Sequence, residues 1–238
     1  MGRNNSFQFK QFTVIQEKSP MKVGTDGVLL GAWVNIKNVR KILDIGTGTG
    51  VIALIMAQRS KAEITGIEIE KNAAGEAGAN VKNSIWNDRI KIYNISFQEY
   101  AQNSNNLFDL IICNPPFFIE SKKSSNPGLS IAKHNDLLSL NDLADMSVKL
   151  LEPAGRLAVI LPVKEAGQFV EIVGLKNLYL YRATEVKPKN VKKPIRLLME
   201  FSRNKKEPER SYLTIHNDDG SGFTKQYKNL TKDFYINF

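Results

Sequence analysis

Asp109-Leu110-Ile111-Ile112-Cys113-Asn114-Pro115-Pro116-Phe117-Phe118 reads as a buried strand that runs into a rigid turn. Leu110 to Cys113 is an apolar run of strand length, with an acid before it and prolines after it. Proline cannot continue a central strand, so the chain leaves the sheet here. Pro116 pushes Pro115 toward an extended conformation, because a residue before proline avoids the helical region. The Pro115 carbonyl is therefore held in one direction, beside an amide, Asn114, and an aromatic face, Phe117. Two fixed oxygen acceptors next to a flat ring suit a planar group that carries an –NH2, and a nucleobase is such a group.

Upstream, Lys41 to Ile45 is the first central strand. It ends in Asp44-Ile45-Gly46-Thr47-Gly48-Thr49-Gly50, and an apolar helix follows through Met56 and Ala57. Glycines between a strand and a helix let backbone and ligand come close, and the helix start offers free N–H groups and a positive dipole end. The dinucleotide fingerprint needs glycine where this chain has Val51, and no Gly-Lys-Ser/Thr follows to make a P-loop. Ile64 to Ile69 is the second strand. Glu68 at its end is placed to accept hydrogen bonds from two ribose hydroxyls. Asn72 to Ile85 reads as a helix and Ile90 to Ile95 as the third strand, which makes Leu110 to Cys113 the fourth. Earlier still, residues 6–15 alternate as a strand or hairpin arm. Gly24-Thr25-Asp26-Gly27 forms a turn into a helix over Val28 to Trp33, with Thr25 or Asp26 as its cap.

Downstream, Ile119 to Asn135 is a polar, basic loop. Ser139 to Leu151 and Lys164 to Leu175 are helices around a fifth strand, Arg156 to Leu161. Leu178 to Val186 and Ile195 to Phe201 form an antiparallel pair, joined by the lysine-rich link Lys187 to Pro194. Tyr212 to Ile215 reads as a further edge strand, and a helix over Phe223 to Tyr235 closes the chain. The strand–helix alternation predicts an α/β fold with a doubly wound, mostly parallel seven-stranded sheet and an antiparallel strand pair near the C-terminus. Nothing divides the chain, so residues 1–238 are expected to be one domain, with 1–35 packing on a core of 36–238. Ligands of such sheets bind beyond the carboxyl ends of the strands, where Gly46 to Gly50, Glu68 and Asn114 to Phe117 all fall.

The chain has 238 residues, 42% of them hydrophobic, and a formal net charge of +9. Disorder is not the default for that composition, and the charge favours a polyanionic partner such as nucleic acid. No apolar run reaches the length of a membrane span, and no apolar signal segment opens the chain. Met1 to Ser6 fits the loose N-myristoylation pattern, but nothing else points to a membrane. One cysteine, Cys113, allows no internal disulfide, which fits a cytoplasmic location. Two histidines and one cysteine cannot build a common zinc site, so no metal is expected. The sequence does not set the oligomeric state, and a monomer is the expectation.

Asp44-x-Gly46-x-Gly48-x-Gly50, the acid Glu68 and Asn114-Pro115-Pro116-Phe117 resemble a class I S-adenosylmethionine-dependent methyltransferase. Phe9-Lys10-Gln11-Phe12, Met21 to Gly27, Leu30-Gly31-Ala32-Trp33 and Leu230 to Tyr235 narrow the resemblance. Over nearly the whole chain it is similar to the bacterial family that methylates the 6-amino group of adenosine 37 in valine tRNA. That resemblance implies S-adenosyl-L-methionine as cofactor, held by Lys22, Thr25, Asp44, Gly46, Gly48, Gly50, Glu68 and Asn114. The acid that related enzymes often carry after the third strand is replaced by Ile95-Ser96-Phe97-Gln98, so Ser96 is expected to offer a hydrogen bond there and Phe97 a stacking ring. Asn114, Pro115, Pro116 and Phe117 would be the catalytic set. Lys122, Lys123 and Lys133, with Lys187, Lys189, Lys192 and Lys193, would hold the tRNA backbone. A protein glutamine methyltransferase, an rRNA guanine methyltransferase and a non-catalytic RNA-binding module remain open alternatives.

Overall fold

The computed structural model describes residues 5–115 and 138–237. A small antiparallel hairpin comes first, β1 (Ser6–Gln8) with β2 (Thr13–Ile15). It is followed by α1 (Thr25–Trp33), β3 (Lys41–Ile45), α2 (Val51–Arg59), β4 (Glu63–Glu68), α3 (Lys71–Lys82), β5 (Ile90–Asn94), α4 (Phe97–Asn103) and β6 (Phe108–Cys113). After the undescribed stretch come α5 (Leu140–Leu150), β7 (Leu151–Pro162), α6 (Val163–Gly174), β8 (Tyr179–Lys187), β9 (Arg196–Ser202), β10 (Glu209–Thr214) and α7 (Lys225–Thr231).

The main sheet has eight strands in the order β10-β8-β9-β7-β6-β3-β4-β5. Only β9 runs against the others, antiparallel to both β7 and β8. The expected seven strands become eight because β10 completes the edge, parallel to β8. Glu209, Arg210, Ser211 and Tyr212 on it are exposed. Such polar residues are what an edge strand carries to discourage further pairing, and the edge strand expected from Tyr212 accordingly starts earlier, at Glu209.

Period-2 alternation divides the central strands between two cores. Ile42, Leu110, Ile112, Ala158 and Ile160 face one layer, with side chains of α1, α2 and α3. Leu43, Ile111, Cys113, Leu157 and Val159 face the other, with α4, α5 and α6. Both faces are covered, so the strands read as continuous apolar runs. Each fully buried Leu or Ile contributes about 1.5–3 kcal/mol.

Two glycines are fixed by close approach. A Cβ on Gly31 would lie 2.9 Å from Ile55 Cγ2, so glycine lets α1 settle directly on α2. A Cβ on Gly155 would lie 2.8 Å from the Phe108 carbonyl oxygen, at the irregularity where β7 meets β6. The strand expected from Arg156 therefore starts earlier, at Leu151, and bends around Gly155.

The terminal segments meet. Lys10 Nζ donates to the Lys232 carbonyl (2.7 Å), Lys10 N to the Phe234 carbonyl (2.8 Å) and Gln58 Nε2 to the Asp233 carbonyl (2.9 Å). The closing helix is shorter than the expected Phe223 to Tyr235. Thr224 caps it, accepting from Tyr227 N (3.1 Å), while Phe223 bridges to His216. Past Thr231 the chain turns back onto the hairpin.

Candidate active site

The sheet order reverses between β3 and β6, and the two strands end in register, Ile45 opposite Cys113. Gly46 and Asn114 therefore leave the sheet side by side. On the other flank Ile45 pairs with Ile67, which sets Glu68 beside the same turn. The turn is tight. Gly46, Gly48 and Gly50 all have positive φ (65°, 57° and 82°), which disfavours any side chain. Thr47 N donates to the Ile67 carbonyl (3.0 Å) and Gly50 N to the Thr47 carbonyl (2.8 Å).

These glycines do different things. A Cβ on Gly46 would meet nothing within 4 Å, and one on Gly48 only the Gly46 carbonyl at 4.0 Å. Those two leave open space over the turn. A Cβ on Gly50 would sit 3.4 Å from Ala77 Cβ, so Gly50 serves the packing of α3 against the start of α2.

Glu68 closes the turn with both oxygens, Oε2 accepting from Gly48 N (2.9 Å) and Oε1 from Glu70 N (2.9 Å). A carboxylate has about four acceptor positions, so two remain for a ligand. Asp44 lies underneath, fully buried. Its Oδ2 accepts from Thr47 Oγ1 (2.6 Å), while Oδ1 has no partner. Burial raises its carboxyl from 3.8 to about 7; the Thr47 hydroxyl and the nearby Ala53 N–H oppose the rise, and the charge of Glu68 adds to it. Burial also pushes the Cys113 thiol well above its usual range, so it stays protonated and is no nucleophile.

The start of α1 forms the third wall. A Cβ on Gly27 would be 3.8 Å from Asn114 Nδ2 and 3.6 Å from Val51 Cγ1. The Gly-Thr-Asp-Gly stretch thus lies against both the start of α2, just past the glycine turn, and the half-buried Asn114. The expected cap is different: Gly24 occupies the N-cap without a side-chain bond, and exposed Thr25 is already helical. Asp26 instead pairs with Arg196 at the start of β9 (2.7 Å). Lys22 is exposed, with its Nζ on the Gln16 carbonyl.

Two residues anchor this approach from α3. Glu76 accepts from the backbone N–H groups of Glu17 (2.6 Å), Lys18 (2.8 Å) and Ser19 (2.8 Å). Asn80 exchanges bonds with Ile15 (2.8 and 2.9 Å) and donates to the Thr49 carbonyl in the glycine turn (2.9 Å). Burial alone would raise the Glu76 carboxyl, but the bonds from Ser19, Lys18 and Glu17 hold it below its ordinary value.

A model of the methyltransferase small domain matches residues 21–165. The chain belongs to this family. A tRNA1(Val) (adenine(37)-N6)-methyltransferase of Trichodesmium erythraeum is 44% identical to it over 98% of this chain and 99% of its own. The protein of that name from Parabacteroides distasonis is 42% identical over 98% of each. Among solved structures, a predicted O-methyltransferase of Agrobacterium tumefaciens shares the fold, with a TM-score of 0.68 and 19% identity over 88% of this chain and 96% of that one.

In this methyltransferase Phe97, just after β5, does not fit the stacking role expected of it, while Ser96 keeps its O–H to donate. Ser96 caps α4, its hydroxyl accepting from Glu99 N (3.1 Å), and Phe97 is 4% exposed within the core. No face of Phe97 is free to stack on a ligand. The sequence did carry the signal, since Ser96-Phe97-Gln98-Glu99 is a capping box. Ile69, which no motif singles out, follows Glu68, is 51% exposed, and has its carbonyl braced by Asn94 Nδ2 (3.0 Å).

Pro115 is buried, and Pro116, Phe117, Lys122, Lys123 and Lys133 lie outside the described residues. The lysine-rich link is on the active-site edge. Lys187 pairs with Thr214, and Val186 with Arg196, so the ends of β8 and β10 and the start of β9 flank Asn114 away from Glu68. Lys192 and Lys193 are exposed. Lys187 Nζ lies 5.9 Å over the Tyr212 ring, and Lys189 Nζ donates to the Asp218 carbonyl (3.3 Å). Among the described residues no group of three or more His, Cys, Asp or Glu is placed to hold a metal, and no helix is long and apolar enough to cross a membrane.

Proposed function

We propose that this chain transfers a methyl group from S-adenosylmethionine to the exocyclic 6-amino group of an adenosine in tRNA, adenosine 37 of valine tRNA. The observation that carries the reading is the placement of Asn114 beside the start of α1, at the strand end next to the glycine turn. It puts an acceptor for a planar amine next to the open space over Gly46 and Gly48. The full-length relatives carrying that activity in their names support the choice of base and RNA. The reading takes residues 1–35 as an extension of a catalytic core over 36–238, working as a cytoplasmic monomer.

The residues present fit the cofactor. Gly46 and Gly48 leave room over the turn, Glu68 keeps two acceptor positions for ribose hydroxyls, and the lone Asp44 Oδ1 supplies negative charge beneath a cationic ligand. Ile69 offers an apolar surface beside Glu68. When bound, S-adenosylmethionine supplies an electrophilic methyl group on a sulfonium.

The rest is positioning. The adenine amine has its lone pair delocalised into the ring. The Asn114 side-chain oxygen and the Pro115 carbonyl accept its two N–H bonds and favour a pyramidal nitrogen with the lone pair aimed at the methyl. Fixed acceptors of this kind act where charge develops and need no rearrangement during reaction. Phe117 stacks on the extruded base, and the lysine-rich segments hold the RNA backbone.

The test incubates purified protein with unmodified valine tRNA and labelled cofactor, followed by nucleoside mass spectrometry. The expected product is N6-methyladenosine, absent when adenosine 37 is replaced by guanosine. Label in guanosine, in protein glutamine, or nowhere overturns the reading.

A further inference from the structure

Five stacking contacts build one column of rings across the molecule. Phe12 stacks on Phe9 (4.6 Å, 24°), Phe9 on Tyr235 (6.0 Å, 21°) and Tyr235 on Tyr227 (6.3 Å, 25°). Tyr227 then stacks on Phe223 (4.8 Å, 19°), and Phe223 on His216 (4.9 Å, 26°). Every ring is buried or half-buried except the last, His216, which is exposed.

His216 opens into a groove of about 540 Å³ that it lines with Pro188, Ile195, Lys189, Lys192 and Lys193. Its largely apolar surface combines an aromatic ring, two apolar side chains and the alkyl stems of three cationic lysines. Hydrogen bonds set its shape beforehand: His216 N to the Pro188 carbonyl (3.0 Å), Ile195 N to the Val186 carbonyl (2.9 Å) and Lys192 N to the Lys189 carbonyl (3.0 Å). Asn190 N donates to Asp218 Oδ1 (2.9 Å), and Thr214 Oγ1 to Asn190 Oδ1 (2.7 Å), which pins the link from below and engages the Asp218 carboxylate. A preformed groove loses little entropy on binding.

The position also selects the ligand. From the end of β6 to the β8–β9 link is two to three strand spacings, roughly 10–15 Å, along the edge that carries Asn114. A flat ring flanked by phosphates fits all three surface types at once. Unpaired RNA bases are held by stacking on aromatic side chains, His included, while lysines take the backbone.

We propose that this groove is a second nucleotide site, in which one unpaired base of the substrate tRNA, flanking the methylated adenosine, stacks on His216 as the next ring of the column while its phosphates meet Lys189, Lys192 and Lys193. The proposal rests on the reading that the enzyme acts on tRNA. It adds a specificity contact that does not touch the reacting atoms.

The test uses a valine tRNA anticodon stem-loop carrying 2-aminopurine at each unpaired position in turn, with the full-length protein. Binding to wild type is expected to quench one flanking position as well as the target position. His216→Ala should abolish the flanking quench, leave the target quench, and raise KM for tRNA roughly 5- to 150-fold, the span of losing one base-stacking partner, with the loss falling on KM rather than kcat. His216→Phe should restore it. Ile195→Glu, outside the column, should also lose the quench, so the result does not hinge on column stability. Lys192→Ala with Lys193→Ala should flatten the salt dependence of binding by about 1.4 in log–log slope. Wild-type KM and an unchanged flanking quench in both His216→Ala and Ile195→Glu overturn the second site alone. A wild-type protein that methylates no tRNA overturns the functional reading instead.

Discussion

Asp44→Asn isolates a single buried charge. The Asp44 carboxyl is fully buried, its Oδ1 has no partner, and burial raises its pKa from 3.8 to about 7. Between those values the folded chain keeps a proton that the unfolded chain has released. Stability of the cofactor-free protein therefore falls as pH rises from about 4 to about 7, and the full gap corresponds to roughly 4 kcal/mol. Roughly 2 kcal/mol of it falls between pH 5 and pH 7. The Asp44→Asn protein has no such proton to lose, so it should gain on wild type by that amount over the same interval. Urea unfolding of both proteins at pH 5, 6, 7 and 8 measures the difference. A cationic ligand over the turn favours the ionised carboxylate. Cofactor binding near pH 6.5 should then release a proton from wild type and none from the variant, read by calorimetry in two buffers of different ionisation enthalpy. If the two stability profiles run parallel from pH 5 to 8, Asp44 is already ionised and the buried-charge argument is wrong.

Glu68→Ala should weaken cofactor binding by roughly 1.5–3 kcal/mol, the range for a charge-assisted hydrogen-bonding group; calorimetry showing no loss would remove Glu68 from the cofactor site. Asn114→Ala should slow turnover about 10²–10³-fold, as deleting one preorganised acceptor does, with cofactor affinity nearly intact; wild-type turnover on tRNA would exclude it from the chemistry. Glu76→Ala leaves the N–H groups of Glu17, Lys18 and Ser19 without their acceptor and should cost roughly 2–4 kcal/mol of stability. Because the Glu76 carboxyl is held below 4.5, its contribution is present above that pH and lost as pH falls through the folded value, and hydrogen exchange at those amides should show the opening directly.

The central sheet was legible because its strands are buried on both faces and read as apolar runs, as Leu110 to Cys113 does. The crevice was legible because Gly46, Gly48, Glu68 and Asn114 sit at strand ends, where local sequence fixes their place. What stayed hidden depends on distant partners. Nothing near Glu76 or Asn80 in sequence says that they hold residues 15–19, and nothing near Asp44 says that one of its oxygens lacks a donor. Gly50 looked like its neighbours, and only the approach of Ala77 separates its role from theirs. Ser96 and Phe97 are a different case. Their capping box is local to the sequence and marks a helix start that buries Phe97.

The junction of the hairpin with the last turn has a consequence for how the chain is made. Lys10 meets Lys232 across 222 positions, and Phe9 stacks on Tyr235. During synthesis at about 5–20 residues per second, the first aromatic residues wait roughly 10–45 s for those partners to emerge. Until then Phe7, Phe9 and Phe12 have no cover from the C-terminal rings. The sheet can assemble earlier, but this closure must come last, since contacts of such separation carry the largest loop-closure entropy. A ribosome that stalls before Thr231 would therefore present a nearly complete sheet with an aromatic hairpin covered by Trp86 at Phe12 but lacking Tyr235 over Phe7 and Phe9, the kind of surface that chaperones bind.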